Sequence, residues 1–182
     1  MIKDSFYYET ERLILRTAAD SDAEELAAKR STGFVTRYNL YYPCDSEQII
    51  REFQEYEHIV LILKRENATI GCVSIKDDDL RYHVDSKTIN AWLTEDNAYN
   101  GYMQEALKVI LAELFYVRSH ERVSIQIFSE NTASIRLAEK LGFEQEGYLK
   151  RALKNHLDQV FDLVLLSIDR ESFIAKNPNP FN

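Results

Sequence analysis

A capped amphipathic helix between two β-strands constrains the fold of this chain more than any other stretch. A strand at 123–127 alternates with period two, and the helix begins after it at Asn131. Asn131 is a good N-cap, because its short side-chain carbonyl can accept a hydrogen bond from an unpaired N–H of the first turn. The apolar residues of the helix share one face: Ile135, Ala138 and Leu141. Gly142 then tolerates the positive φ at which helices commonly end. The segment therefore predicts a strand, a helix and a turn that ends the helix.

A glycine-containing loop opens another helix farther upstream. The apolar strand 87–93 leads through Ala98-Tyr99-Asn100-Gly101 into a helix with a continuous apolar stripe. That stripe consists of Met103, Ala106, Leu107, Ile110, Leu111 and Leu114. A glycine at a strand-to-helix turn lets backbone N–H groups point outward at the positive end of the helix dipole. The loop therefore predicts a binding site for a ligand that carries phosphate.

These two segments together resemble the GNAT superfamily of acyl-CoA-dependent N-acetyltransferases, and most closely its ribosomal-protein N-terminal (alanine/serine) acetyltransferase branch. The motifs that carry the resemblance are Trp92-Leu93, Gly101, Glu105-Ala106-Leu107, Asn131 with Ser134, Lys140-Leu141-Gly142-Phe143, and Glu146-Gly147. The opening Glu9–Arg16 is also similar to that branch, so the resemblance covers most of the chain. The glycine loop departs from the family pattern, which has Arg, Gln or Trp at Ala98, glycine at Tyr99, and Gly or Ala at Met103.

The order of apolar and amphipathic segments, together with the resemblance, predicts an α/β (α+β) fold of one domain. The resemblance implies a central, mixed, mostly antiparallel twisted sheet of about six or seven strands flanked by about four helices. It also implies that strands 87–93 and 123–127 splay apart and leave backbone groups with which a ligand can pair. We expect the domain to cover residues 1–176. Residues 177–182 have no packing pattern and are expected to form a flexible tail.

The resemblance implies acetyl-CoA as co-substrate and no metal. The pantetheine arm would lie like an inserted strand along Trp92, Leu93 and Thr94. The pyrophosphate would bind N–H groups of the loop and the first helical turn: Tyr99, Asn100, Gly101, Tyr102, Met103 and Gln104. The capped helix adds further implied cofactor contacts: Asn131, Ser134, Arg136 and Lys140. Asn131 can cap its helix, hold the pantetheine amides, or do both.

Ser134 is the catalytic residue that the resemblance implies. Many GNAT enzymes use a tyrosine on this helix, and Ala138 occupies that position here. The branch resembled is thought to use the serine of Asn-x-x-Ser, which would donate a proton to the departing thiolate. A first-turn serine that only assists the helix cap is the alternative. No general base stands out, because Glu95, Asp96 and Glu130 are also typical of solvated strand ends.

The acceptor is predicted to be a primary amine, either a protein N-terminus or a small molecule. The connection 31–44 is rich in aromatic residues, and in the family this connection lies beside the acceptor. Tyr38, Tyr41 and Tyr42 are therefore candidate substrate-binding residues, with a partly buried structural connection as the alternative. A polyamine or an amino sugar is the alternative acceptor. A homodimer is compatible with the resemblance.

Composition narrows the classes of partner. The formal net charge is −8, which argues against DNA or RNA because nucleic-acid binding needs a basic surface. No apolar run approaches the roughly 20 residues that span a bilayer, and residues 1–4 lack the core of a signal peptide. A cytoplasmic protein with no membrane partner is therefore expected. Asp77-Asp78-Asp79 predicts a solvated acidic turn rather than a metal site.

Two other classes of function remain open. A non-catalytic acyl-CoA-binding regulatory module is favoured by the single loop glycine, by the absence of a tyrosine on the capped helix and by the missing base. A structural interaction domain is disfavoured by the number of cofactor-side motifs that are present. Acetyl-CoA binding, followed by thiol release against a panel of amines, separates these classes.

Overall fold

Eight strands and six helices make up the part of the chain that the computed structural model describes, residues 5–39 and 42–181. The strands are β1 (Tyr7–Glu9), β2 (Leu13–Thr17), β3 (Glu57–Leu63), β4 (Ala68–Asp77), β5 (Ser86–Leu93), β6 (Arg122–Phe128), β7 (Glu144–Lys154) and β8 (Val160–Asp169). The helices are α1 (Ala23–Arg30), α2 (Gly33–Thr36), α3 (Ser46–Glu55), α4 (Tyr102–Ala112), α5 (Thr132–Lys140) and α6 (Arg170–Lys176). The strand order in the sheet is β1-β2-β3-β4-β5-β6-β8-β7.

The sheet is mixed and mostly antiparallel. The pairs β1–β2, β2–β3, β3–β4, β6–β8 and β7–β8 are antiparallel. Strands β5 and β6 are parallel, and their ladder joins Ser86–Thr88 to Arg122–Ser124. Both strands extend beyond this ladder, β5 to Leu93 and β6 to Phe128. The C-terminal end of each strand therefore lies outside the parallel ladder, as the expected divergence of the two strands requires.

The first of two compact units takes in Met1–Ile75 and Asn90–Ala106. Helices α1, α2 and α3 pack against its strands through an apolar cluster. That cluster consists of Ala23, Leu26, Ala27, Val35, Ile49, Val60, Cys72 and Trp92. Helix α3 is capped by Asp45, whose side chain accepts a hydrogen bond from the Gln48 N–H at 2.9 Å.

The second unit takes in Lys76–Ile89 and Leu107–Asn182. It contains the antiparallel strands β6, β8 and β7, with β8 in the middle. Inward-facing residues of these strands are buried, among them Val123, Ile127, Leu166 and Ile168. Helix α6 packs through Phe173, whose ring centroid lies 5.0 Å from that of Phe115. The unit thus has an apolar core of its own.

The predicted fold class is confirmed, with more elements than expected. Strand β1 has only three residues, two of them exposed, and so gives no usable period. Helix α2 has four residues, and α6 follows β8 without a loop. Asp169 caps α6 by accepting a hydrogen bond from the Ser172 N–H at 2.8 Å. This helix cap is also the last residue of the apolar strand β8, so the sequence pattern does not separate the strand from the helix. Within the described ranges no helix is long and apolar enough to cross a membrane.

The acidic turn after β4 was predicted only in part. Asp77 is exposed and pairs with Lys87 at 2.5 Å. The side chain of Asp78, by contrast, is 1% exposed. Its carboxylate accepts the hydroxyls of Ser86 and Ser124, both at 2.9 Å. The prediction of a solvated turn is therefore wrong for Asp78, because donors from two other strands satisfy a buried carboxylate.

Candidate functional site

The loop between β5 and α4 contains two residues with left-handed backbone conformations. The φ angle is +79° at Gly101 and +62° at Tyr99. Glycine adopts such angles freely, whereas a residue with a Cβ atom does so at a cost. The Tyr99 side chain is 85% exposed, so little packing compensates for that cost. The position at which the family pattern has glycine thus keeps a backbone conformation typical of glycine.

The backbone of this loop offers N–H groups that have no acceptor among the described residues. The first hydrogen bond of α4 runs from the Glu105 N–H to the Gly101 carbonyl at 3.1 Å. Within residues 5–39 and 42–181, none of the N–H groups of residues 99–104 has a protein acceptor. The side chains of Tyr102 and Met103 are buried, so these two residues can present only main-chain groups to a ligand. Unpaired N–H groups at the start of an 11-residue helix attract anions.

A group of side chains that begins just before β2 holds this loop. Glu105 accepts hydrogen bonds from the Thr10 hydroxyl at 2.5 Å, the Arg12 N–H at 3.0 Å and Arg12 Nε at 2.6 Å. Arg12 also donates from Nη1 to the Asn100 carbonyl at 3.0 Å, and its guanidinium lies 4.5 Å from the centre of the Tyr102 ring. Burial opposes ionisation of Glu105, but the hydrogen bonds from Thr10 and Arg12 outweigh it and lower its pKa. The sequence resemblance included Arg12 but assigned it no role.

The end of β5 provides main-chain rather than side-chain groups. Trp92 is buried in the apolar cluster of the first unit. Thr94 donates its N–H to the Ile70 carbonyl at 2.8 Å, and its hydroxyl accepts from the Asn97 amide at 2.9 Å. Successive residues of a strand direct their N–H groups to opposite sides, so Leu93 directs its N–H away from β4. A role of that N–H in binding a ligand stays a prediction.

Helix α5 is capped as the sequence predicts. The Asn131 side-chain carbonyl accepts the Ser134 N–H at 3.2 Å, and Gly142 beyond the helix has a φ of +98°. The cap uses the backbone of Ser134 and not its hydroxyl. Ser134 is partly exposed, and in the described part of the chain its hydroxyl has no protein partner. The hydroxyl is therefore left for a role other than capping.

Arg136 and Lys140 lie one helical turn apart on the exposed face of α5. Both are exposed, and no ion pair involves either of them within the described residues. They offer two positive charges to a phosphate group. Their assignment as cofactor contacts stays a prediction.

The predicted acceptor wall lies only partly within the described residues. Tyr38 is partly exposed, and the Arg37 guanidinium lies 5.0 Å from its ring centre. Tyr42 is 55% exposed. Tyr41 lies outside the described residues. The substrate-binding role of all three tyrosines stays a prediction.

An ionised carboxylate near the end of β6 has no counterpart among the predicted site residues. Asp162 accepts the Arg151 N–H at 2.6 Å and the Tyr148 hydroxyl at 2.7 Å, and both hydrogen bonds lower its pKa. The Ser129 N–H, just beyond β6, donates to the Asp162 carbonyl at 3.0 Å. A carboxylate that stays ionised is better suited to bind a cation than to accept a proton. In the sequence, Asp162 stands out only as a charge inside an apolar strand.

Comparison with known proteins places these features in a family. The acetyltransferase (GNAT) domain matches residues 12–144. The chain is also 30% identical over 156 residues to an uncharacterized N-acetyltransferase, YoaA, of Bacillus subtilis (strain 168), a match that covers 79% of this chain and 85% of the relative.

Two solved structures show the same fold. The ribosomal-protein-S5-alanine acetyltransferase from Vibrio fischeri has a TM-score of 0.79 at 20% identity, covering 92% of this chain and 98% of that one. The spermidine N-acetyltransferase from Vibrio cholerae, solved with CoA and spermine, has a TM-score of 0.79 at 15% identity, covering 91% and 99%. At these identities the two structures establish the fold and leave the acceptor open.

Proposed function

Because the chain belongs to the GNAT family of acetyltransferases, we propose that it transfers the acetyl group of acetyl-CoA to a primary amine. The observation that carries this proposal is the row of N–H groups of residues 99–104 at the start of α4, which have no acceptor in the part of the chain that the structure describes. Adjacent donors at the positive end of a helix suit a diphosphate, which is the anionic centre of CoA. Residues 1–176 are proposed to act as one catalytic domain.

The residues present fit such a ligand. A chain with a net charge of −8 repels a polyanion at long range, so local groups must supply the attraction. The N–H groups of residues 99–104 are proposed to bind the diphosphate, and Arg136 and Lys140 to bind a further phosphate. Gly101 provides the positive φ that this loop requires.

Transfer forms a C–N bond and breaks the C–S bond of the thioester. Acetyl-CoA supplies an activated acyl group, and an alkyl thiol of pKa about 8.5 is a tolerable leaving group. The Leu93 N–H, directed away from β4, is proposed to donate to the acyl oxygen as negative charge develops there. The Ser134 hydroxyl is proposed to donate a proton to the departing sulfur, and the proton that the nitrogen loses after attack returns to the serine oxygen through water. The Asn131 cap holds the turn from which Ser134 projects.

The amine must be neutral when it attacks. An N-terminal amine of pKa about 8 can lose its proton to water, whereas a lysine-like amine near 10.4 needs more help. A protein N-terminus or another amine of low pKa is therefore the first candidate acceptor. A di- or polyamine is the second, favoured by the ionised Asp162 carboxylate, which can pair with a second ammonium group.

The test incubates the purified chain with acetyl-CoA and a panel of amines. The panel contains peptides with N-terminal Ala or Ser, spermidine and glucosamine, and an N-acetylated peptide without other amines serves as the control. Free thiol is followed with a disulfide reagent, and the product is identified by mass. We expect thiol release above hydrolysis, and a product carrying one acetyl group, for at least one amine. Acetyl-CoA binding without acetylation of any amine would instead indicate a non-catalytic acyl-CoA-binding module.

A further inference from the structure

We propose that Arg12 is a positioning residue for the loop 99–104, acting on the orientation of the loop backbone rather than by contact with the ligand. This inference rests on the proposed function, in which the N–H groups of that loop bind the diphosphate of CoA. Arg12 lies directly before β2, in a part of the chain 88 residues from Asn100.

The argument begins with the geometry of one peptide unit. The Asn100 carbonyl and the Gly101 N–H belong to the same trans peptide, so they point in opposite directions. Arg12 Nη1 holds the Asn100 carbonyl at 3.0 Å. The Gly101 N–H is therefore directed away from Arg12, toward the side on which the loop has no protein acceptor. Without Arg12 this peptide is free to rotate, and its N–H loses that direction.

The hydrogen bonds of Arg12 explain why the orientation is rigid. Arg12 Nε and Nη2 both lie 2.6 Å from Glu105 Oε2, and Glu105 is in the first turn of α4. Glu105 also accepts the Thr10 hydroxyl at 2.5 Å and the Arg12 backbone N–H at 3.0 Å. One planar guanidinium thus bridges the carboxylate of the helix and the carbonyl of the loop that precedes it. A lysine ammonium carries its three donors on one nitrogen and lacks the planar fork of the guanidinium, so it cannot span both acceptors in this way.

The charges favour positioning over direct attraction of phosphate. Glu105 has a lowered pKa, so it is ionised at neutral pH and balances the charge of Arg12. Two of the guanidinium nitrogens face that carboxylate and the third faces Asn100. The charges of Arg12 and Glu105 therefore cancel, and the pair has no net charge with which to attract a phosphate. Its hydrogen bonds instead define the shape of the loop.

The test compares Arg12→Gln and Arg12→Lys with Arg16→Gln as a matched control. Arg16 belongs to the same N-terminal segment and makes a comparable bidentate pair, with Asp22, at 2.7 Å for both hydrogen bonds. Within residues 5–39 and 42–181 its side chain donates to Thr17 and Asp22 and not to the loop 99–104. The readouts are KM and kcat with acetyl-CoA and with S-acetylpantetheine, which lacks the diphosphate, alongside the melting temperature of each variant.

We expect Arg12→Gln to raise KM for acetyl-CoA by roughly tenfold to a hundredfold, the effect of losing one charge-assisted hydrogen bond to phosphate. At saturation kcat is unchanged, and KM for S-acetylpantetheine is unchanged. Arg12→Lys also raises KM, and it serves as the measurement if Arg12→Gln does not fold. Arg16→Gln lowers the melting temperature and leaves KM as in the wild type.

Three results would overturn the inference. An unchanged KM for acetyl-CoA in Arg12→Gln shows that the loop does not need Arg12. Full restoration by Arg12→Lys shows that charge alone matters. An equal rise of KM for S-acetylpantetheine shows a general structural defect. Binding of acetyl-CoA to the wild type is measured first, because its absence removes the proposed function together with this inference, whereas each of the three results leaves the proposed function standing.

Discussion

Substitution of Gly101 by alanine separates a binding role of the loop from a purely structural one. A residue with a Cβ atom at φ +79° costs roughly 1–2 kcal/mol, and alanine regains roughly 0.4–1 kcal/mol by restricting the unfolded chain. The new Cβ would lie 3.5 Å from Arg12 Nη2, an ordinary contact, so no clash adds to the cost. The net loss is therefore about 1 kcal/mol, which lowers the melting temperature of a chain of this size by about 2–4 °C.

The binding effect is larger than this stability effect. The loop can relieve the strain at residue 101 only by rotating the peptides that carry its N–H groups, and we expect acetyl-CoA affinity to fall about tenfold or more. Ligand at a hundredfold excess over Kd stabilises by about 2.7 kcal/mol, and at a tenfold excess by about 1.4 kcal/mol. The shift in melting temperature produced by a fixed acetyl-CoA concentration should thus shrink by about half.

Gly142→Ala is the control for Gly101→Ala. Its φ is +98°, and its Cβ would lie 3.1 Å from Ile168 Cδ1, so it is strained at least as much. It should lower the melting temperature and keep the full shift with acetyl-CoA. Differential scanning fluorimetry with and without acetyl-CoA measures both quantities. A full ligand-induced shift in Gly101→Ala would show that the phosphate site is elsewhere, and an equal loss in Gly142→Ala would show a general effect of destabilisation.

Two further predictions concern catalysis and acid stability. Ser134→Ala should lower kcat by about 10²-fold with little change in acetyl-CoA affinity, since the Asn131 cap uses the Ser134 backbone; unchanged turnover at saturating substrates would remove Ser134 from the mechanism. Burial opposes ionisation of Glu52, but two hydrogen bonds from the Arg30 guanidinium, at 2.5 and 3.0 Å, and the nearby His58 ring outweigh it and lower its pKa from 4.5 to about 2. This lowered pKa contributes about 3 kcal/mol of stability above pH 4.5, which is lost as the pH falls toward 2. Urea unfolding of Glu52→Gln should therefore show lower stability at neutral pH and a weaker decline below pH 4.5, and a decline as steep as in the wild type would contradict the assignment.

Local signals in the sequence predicted the cap and the end of helix α5 and the turn that opens α4. Asn131 caps α5 and Gly142 follows that helix with a positive φ, because caps and helix ends depend on a few neighbouring residues. Gly101 lies in the predicted strand-to-helix turn, where it has a positive φ. Tyr99 replaces a glycine of the family pattern, and its backbone still has a left-handed φ.

Contacts between distant parts of the chain could not be predicted in the same way. The pair Arg12–Glu105 joins positions 93 residues apart, and either residue alone is an ordinary surface charge. Asp78 is buried only because Ser86 and Ser124 donate to it from other strands. The candidate acceptor-binding tyrosines, such as Tyr42, follow from an aromatic-rich segment and from the resemblance, because no spacing of residues is specific for an amine acceptor.

The central claim is that the N–H groups of residues 99–104 bind the diphosphate of acetyl-CoA, and isothermal titration of the wild-type chain with acetyl-CoA tests it most directly. We predict saturable binding at one site per chain, with much weaker binding of S-acetylpantetheine, which lacks the diphosphate. Thermal unfolding at a hundredfold excess over Kd should show stabilisation of about 2.7 kcal/mol. No heat of binding and no change in melting temperature at millimolar acetyl-CoA, in a chain that is otherwise folded, would contradict the claim.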